Sequence, residues 1–298
     1  MMKRYIIFLI SSIVYSVSHA QDDLLAELEK ETSQEKEFTD FTFKGTRLIN
    51  GHSVKTLHQG EMEFLISHRF GAINSGAYEL FGLDNSFIRF GLDYGITDQF
   101  SIGLGRSSYD KTYDGFMKYK ILRQGTGEGS MPVTLTLLAD AAYKSSPDKA
   151  SAPELTGKNR MAYTFAAMVA RKITPALSVQ VSPTFVHRNM VYGPQKNDVW
   201  AVGAGGRMKV SKSVTVNSEY FLRLNINGQA WEYEGTPTYN ALALGVDIET
   251  GGHVFQLHLT NTRGMFERAI IGETTGNFFK GDIHIGFNIT RTFQVANR

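Results

Sequence analysis

Two histidines near the C-terminus are candidates for a catalytic or a metal-binding site. His258 lies between two leucines and His284 between two isoleucines. In extended chain this alternation points both imidazoles to the polar face of neighbouring strands. An imidazole at such a place serves as a general base beside a nucleophile, or as a ligand of a transition metal.

The surroundings of the two histidines do not complete either kind of site. Asp282, Asn288 and Thr290 lie beside them, but no serine stands on the matching face of the two segments. No third metal ligand occurs at a defined spacing, and the absence of cysteine excludes thiolate sites. We therefore expect no catalytic residue, metal or cofactor, and interpret both histidines as pore-lining or hydrogen-bonded wall side chains.

The histidines belong to the last two of twelve segments with period-2 alternation. The stretch "GLDYGITDQFSIGLGR" (91–106) shows the pattern, since apolar and polar residues alternate on both sides of a tight break. Such segments are typical of strands with one apolar and one polar face. The twelve segments are 61–70, 86–96, 99–107, 115–124, 132–143, 160–171, 176–187, 200–210, 214–224, 242–249, 255–260 and 282–293.

The links between the segments alternate in length. Short links occur at "ITDQF", "KITPA", "VSKS" and "ETGGH", with a longer one at 124–131. The long links cover 71–85, 107–114, 144–159, 188–197, 225–237 and 261–280. This asymmetry predicts an all-β fold, a transmembrane antiparallel β-barrel of about 12 strands with short periplasmic turns and long extracellular loops. A soluble sandwich is the competing fold, but its inward positions would not carry charges on nearly every strand.

The N-terminus predicts export. Residues 1–20 combine a basic start, an apolar run and "SHA" before Gln21, which is the order of a cleaved signal peptide. Removal of Lys3 and Arg4 with it lowers the net charge from +2 to 0, so nothing favours nucleic acid. We expect residues 21–60 to form a periplasmic N-terminal arm, as a short helix, a disordered tail or a plug. Residues 61–298 would form the barrel.

Four stretches carry a family resemblance: "YGITDQFSIGLGR", "ISHRFG", "GGHVFQLHLTNTRGM" and "GDIHIGFNITRTF". They resemble an uncharacterised family of outer-membrane β-barrel proteins of Gram-negative bacteria, a domain-of-unknown-function family, over roughly residues 45–294. The resemblance implies an outer-membrane location and a barrel fold. It implies no activity and no catalytic residue.

The polar positions of the segments define a set of candidate lumen-lining residues. They are Arg89, Asp93, Lys118, Lys120, Asp140, Arg207, Glu219, Arg223, Asp247, His258 and His284. Opposing charges in a narrow lumen select polar solutes, so the first hypothesis is a passive, porin-like channel for small polar solutes. The alternative is a structural or partner-docking barrel without an open pore, whose charges pair in the wall.

An outer-membrane lipid hydrolase is the least favoured function, since the required serine is missing from the histidine face. The expected partners are outer-membrane lipid and a periplasmic partner that binds residues 21–60. The loop 261–280 contains the apolar "AII", which predicts either a constriction at the mouth or packing between loops.

Overall fold

The computed structural model describes residues 36–146, 157–191, 193–226 and 231–296. The predicted signal peptide and residues 21–35 lie outside the described residues.

Twelve antiparallel strands close into one barrel, which confirms the predicted fold class. Each strand corresponds to one of the alternating segments. The strands are β1 (Glu61–Ala72), β2 (Ser86–Gly95), β3 (Phe100–Ser107), β4 (Thr112–Leu122), β5 (Thr134–Lys144), β6 (Met161–Lys172), β7 (Leu177–Arg188), β8 (Asp198–Lys209), β9 (Val214–Leu224), β10 (Leu242–Thr250), β11 (His253–Thr260) and β12 (His284–Gln294).

Each strand pairs with its neighbours in the sequence, and β12 pairs with β1 to close the barrel. The closing register runs from His284 opposite Ala72 to Gln294 opposite Glu61, with one irregularity near Gly286. A closed ladder leaves no strand edge, so the backbone hydrogen bonds are satisfied within the wall.

The apolar face of the alternation points outward and the polar face inward. Leu104 is 72% exposed and Leu257 56% exposed on the outer surface, whereas the charged side chains of Lys118 and Glu219 are buried on the inner face. An apolar belt of this size in contact with water would favour aggregation, and it suits the hydrocarbon layer of a membrane.

The connections define two ends of the barrel. The turn end carries the short connections 96–99, 173–176, 210–213 and 251–252, and β4 and β5 are joined at the same end by the longer connection 123–133. The loop end carries the other connections. One link is shorter than predicted: residues 107–114 were expected to be a long loop, but β4 begins at Thr112. Arg106 pairs with Tyr113 across the two strands, so the ladder extends into the predicted loop.

The longest loop holds a short helix, α1 (Glu267–Gly272), whose residues are all buried. Within the described ranges, no helix combines the length and the apolar character that crossing a bilayer requires.

The chain divides into a barrel unit and a second, small unit. Its described residues are 36–40 and 124–132. Within it, Glu37–Phe38 pairs with Gly125–Thr126 as a two-stranded ladder. The predicted N-terminal arm is therefore divided, because the residues from Phe41 onward belong to the barrel unit.

Candidate functional site

The lumen of the barrel contains a hairpin formed by the residues before β1, which we call the plug (residues 42–57). Arg47 and His52 bridge its two arms, and the amide of Leu48 donates to the carbonyl of Gly51 at 2.9 Å to form a tight tip. Most of its residues are buried. The predicted arm therefore includes a segment that occupies the space that a pore would need.

Glu219 of β9 holds the tip of the plug. Its carboxylate accepts hydrogen bonds from the backbone amides of Ile49 at 3.3 Å, Asn50 at 3.2 Å and Gly51 at 3.1 Å. Three successive amides that converge on one buried carboxylate form a strong, charge-assisted anchor. These three bonds use backbone groups of the plug, so its side-chain sequence gives no hint of them.

Lys118 of β4 holds the two arms of the plug together. Its ammonium group donates to the carbonyls of Thr46 at 3.1 Å, Ser53 at 3.3 Å and Lys55 at 2.9 Å. These three bonds use the full donor capacity of a lysine side chain. Lys118 is thus satisfied by the plug, although it is buried in the wall.

Three neutral amide side chains of the wall also bind the plug backbone: Gln180, Gln256 and Asn288. Each donates to a plug carbonyl at 2.8 Å, and the acceptors are His52, Leu48 and Ile49, respectively. These wall residues lie on β7, β11 and β12. Together with Lys118 and Glu219 they anchor the plug to five strands around the barrel.

The wall also fits the plug by shape and by charge. A Cβ atom at Gly205 of β8 would collide with Leu48, so the glycine makes room for the tip. The guanidinium of Arg47 lies 3.3 Å from the carboxylate of Asp93 on β2, and both side chains are buried. Lys44 lies 3.2 Å from Glu249 in a more exposed pair near the turn end.

The loop after β11 also fills part of the lumen, and we call residues 261–276 the inserted loop. Ile270 and Ile271 of α1 pack against inward side chains of the wall, including Val186 and Phe221. The apolar "AII" sequence thus lies in a buried cluster, and the prediction that this loop folds into the mouth matches its position.

The plug and the inserted loop meet inside the barrel. The His52 Nε2 atom lies 3.5 Å from the Glu267 Oε1 atom. Burial lowers the pKa of His52 well below its ordinary value and raises the pKa of Glu267. Both directions favour the uncharged forms, so this contact contributes less than an ion pair would.

Ten of the eleven predicted lumen-lining side chains are buried on the inner face, and Lys120 is half-buried. Three of them contact the plug: Asp93, Lys118 and Glu219. Four of the others bind partners within the wall or near the loop end. Arg89 pairs with Asp114, Arg207 with Glu249, Asp247 with Gln256, and Arg223 with Thr238. Asp140 faces the same interior. A role of these residues in lining a solute path stays a prediction.

The two histidines that suggested chemistry do not share a site. In the register, His258 lies opposite Gly286 and His284 opposite Thr260. His284 Nδ1 lies 2.9 Å from the carbonyl oxygen of Phe70, while the ring nitrogens of His258 have no hydrogen-bond partner among the described residues. Across the same residues, no group of three or more His, Cys, Asp or Glu side chains could hold a metal ion.

Several residues that hold the plug were absent from the predicted set. Gln180, Gln256 and Asn288 are neutral, and the prediction selected charged residues and histidines. Arg69 was also missed, and it donates to the Asn50 side chain at 2.8 Å. The sequence did contain one signal: amide side chains occupy several inward positions. A wall that faces only water does not require amides there, so they indicate a segment bound inside the barrel.

Replacing Lys118 with methionine is expected to destabilise the protein by about 2 kcal/mol, because three buried carbonyls lose a charged donor. The midpoint of urea unfolding, followed by the shift between folded and unfolded bands on a gel, measures the loss. Lys120→Met is the matched control on the same strand and face, where the half-buried ammonium keeps more contact with water. Equal effects of the two changes would contradict the anchoring role of Lys118.

Comparison with known proteins gives the chain a family. The family model described as "Membrane bound beta barrel domain (DUF5777)" matches residues 43–293. The matched range includes nearly the whole plug and all twelve strands except the last residue of β12. No curated protein matches the sequence.

Solved structures similar to this chain include bacterial outer-membrane barrels. The NanC porin has 9% identity and a TM-score of 0.46, with 78% of this chain and 98% of that chain covered. An outer membrane channel from Pseudomonas putida F1 has 12% identity and a TM-score of 0.49, with coverages of 80% and 98%. The outer membrane phospholipase A from Escherichia coli has 9% identity and a TM-score of 0.42, with coverages of 77% and 92%. Sequence identities and TM-scores this low do not transfer a function from these proteins to the chain.

Proposed function

The chain belongs to the DUF5777 family of membrane-bound β-barrel domains, and from this premise we propose that it is a gated outer-membrane channel for small polar solutes. In this proposal the plug closes the lumen at rest, and its displacement opens a polar path. The sequence predicts a passive channel. We add a gate to it, because the lumen is filled in the conformation described.

The observation that carries the proposal is the large polar part of the contact between the plug and the wall, which lies beside an apolar cluster that Phe43, Leu48 and Val54 form with wall side chains. Lys118, Glu219 and three amides hold the plug through hydrogen bonds to its backbone. Water can replace such bonds at small net cost, so the apolar cluster is the part of the contact that resists withdrawal of the plug. A barrel emptied of the plug would present these same polar groups to solvent.

The size of the barrel supports the same proposal. Eight strands leave an interior that side chains alone fill, and a larger strand number widens it. Here the twelve strands enclose enough space for the plug and the inserted loop. Removal of one of the two segments would therefore leave a substantial passage.

A single cysteine in the plug tests the proposal, because the natural chain has none. Ser53 is fully buried, and its replacement by cysteine places a thiol inside the closed lumen. We expect a membrane-impermeant thiol reagent to modify this cysteine only after an opening recorded in a planar bilayer. The bulky adduct should then keep the plug from returning, and the channel should stay open.

The control is Ser211→Cys in an exposed turn, which the reagent should modify at all times. Ionic current without any modification of the cysteine at position 53 would mean that ions pass around a stationary plug, and would contradict gating by the plug. Absence of both current and modification in a folded barrel would favour a barrel without a pore.

That second candidate function, a structural or partner-docking barrel, has one observation in its favour. The inserted loop packs on the inner wall through apolar side chains of α1, such as Ile270 and Ile271. This part of the filling, like the apolar cluster of the plug, resembles a permanent core. If both segments stay in place under all conditions, the barrel is a scaffold that presents its exposed loops or its N-terminal residues to a partner.

The remaining parts of the proposal follow from the sequence. We infer an outer-membrane location, with the apolar outer face in contact with lipid. A periplasmic partner that binds residues before Phe41 would be placed to withdraw the plug, because these residues continue directly into it. We propose no enzymatic activity.

A further inference from the structure

A small polar cavity opens at the loop end of the barrel, outside the contacts that hold the plug. It has a volume of about 50 Å³ and lies between the ends of β5, β6 and β7, the end of the inserted loop and residues 233–234. A water molecule needs about 10–15 Å³ on this measure, so the cavity has room for a group of several heavy atoms.

Several cations are among the described residues that line this cavity. Its lining includes Lys144, Arg160, Arg188 and Arg268 against Glu234 and Glu273. A further carboxylate, that of Asp110, lies 3.0 Å from Lys144 and 3.6 Å from Arg268. Among the described side chains around the cavity, four are cations and three are carboxylates when Asp110 is counted.

Arg188 is a buried cation that the surrounding residues hold in place. The residue is only 7% exposed, and its two terminal nitrogens donate to the Gln195 side chain at 3.0 Å and to the Lys196 carbonyl at 2.7 Å. Its Nε atom has no hydrogen-bond partner among the described residues. Both hydrogen-bond acceptors are neutral, and the Glu273 carboxylate acts on the buried charge through space without a hydrogen bond to it among the described contacts.

Arg268 offers a second cation that an anion could share. Its side chain is buried and pairs with Glu273, with 3.0 Å between the Arg268 Nε and Glu273 Oε1 atoms. Glu273 lines the same cavity. An external oxyanion beside Arg188 would therefore find a second guanidinium whose present partner is a carboxylate of similar shape.

We infer that this cavity binds an oxyanion, a carboxylate or phosphate group, presented from outside the barrel. An oxyanion accepts the charge-assisted hydrogen bonds that Arg188 leaves unused, and planar guanidinium groups match its geometry. Two sources supply such a group: free phosphate, and the acid group of a sugar acid. The site does not require the plug to move, so its occupancy is independent of the proposed channel function.

The chain contains a natural reporter for this site. It has two tryptophans, Trp200 on the outer face and Trp231 near the cavity. Trp231 and Arg188 line a second, smaller cavity next to the first. In a Trp200→Phe variant of the full chain, the fluorescence of Trp231 alone reports events beside Arg188.

The test is a titration of this variant in detergent at constant ionic strength with sodium phosphate, sodium D-glucuronate, sodium chloride and D-glucose. We expect a saturable fluorescence change with phosphate, with glucuronate or with both, and none with chloride or glucose. A response to phosphate alone identifies free phosphate as the ligand class, and a response to glucuronate alone identifies sugar acids. Responses to neither, or equal responses to glucose or chloride, would overturn the inference.

Two substitutions with opposite expected effects separate binding from misfolding. Arg188→Gln should weaken the binding of the responding anion at least about tenfold, because the charged donor is lost. Glu273→Gln should strengthen it severalfold, because Arg268 loses its competing carboxylate. Arg171→Gln, an exposed arginine at the turn end, is the matched control and should change nothing. An unchanged affinity in Arg188→Gln, or a weaker one in Glu273→Gln, would contradict the site.

Discussion

Deletion of residues 42–57 is expected to convert a closed barrel into a conducting one, with a mean current per inserted protein about tenfold or more above that of the full chain. The wall should still fold, because its ladder closes through β12 and β1 without the plug. Water would solvate the inward groups of Lys118 and Glu219 in place of the plug backbone. Single-channel recording in planar bilayers, with folding checked by gel mobility, measures the effect.

A chain that lacks residues 21–35 is the control for this deletion. It is shortened by a similar length and keeps every described plug contact, so its current should match that of the full chain. A silent but folded deletion variant would mean that the inserted loop alone closes the barrel. That result would contradict the proposal that the plug is the gate.

Glu219→Ala is expected to raise the open fraction of the channel roughly 100-fold. The change removes the acceptor for three backbone amides at the plug tip, which we expect to cost the closed state about 3 kcal/mol. Glu219→Gln should have a smaller effect, because its amide oxygen still accepts hydrogen bonds. The open fraction in long bilayer recordings is the measured quantity.

Glu249→Ala is the matched control for this change. Its carboxylate also pairs with a plug residue, Lys44, but the pair is more exposed, and such pairs contribute about 1 kcal/mol or less. We therefore expect an increase of less than about tenfold. If Glu249→Ala opened the channel as much as Glu219→Ala, the tip would not be the main anchor of the plug.

The barrel itself could be predicted from the sequence because the relevant signal is local. Strands in a membrane wall must alternate residue by residue, and the segments 99–107 and 176–187 correspond within one residue to β3 (Phe100–Ser107) and β7 (Leu177–Arg188). The error at 107–114 has the same origin. Tyr113 continues the alternation there, but the nearby polar residues resembled a loop.

The plug could be named only as one of several alternatives, for a physical reason. Its contacts join residues that are far apart in the sequence, such as Gly51 and Glu219, and they use backbone groups that every residue carries. The period-2 alternation of the sequence therefore does not reveal these contacts. The side chains that take part, such as Gln256, also look like ordinary polar wall positions until the partner is known.

The connection of the plug to the first strand has a consequence for the order of assembly. The plug is synthesised before any strand, yet its anchors at Gln256 and Asn288 belong to the last two strands, β11 and β12. Until those strands are added, the hairpin cannot form its full set of bonds. Complete seating of the plug therefore marks a finished barrel, and a chain truncated near its C-terminus would keep its N-terminal hairpin incompletely bound.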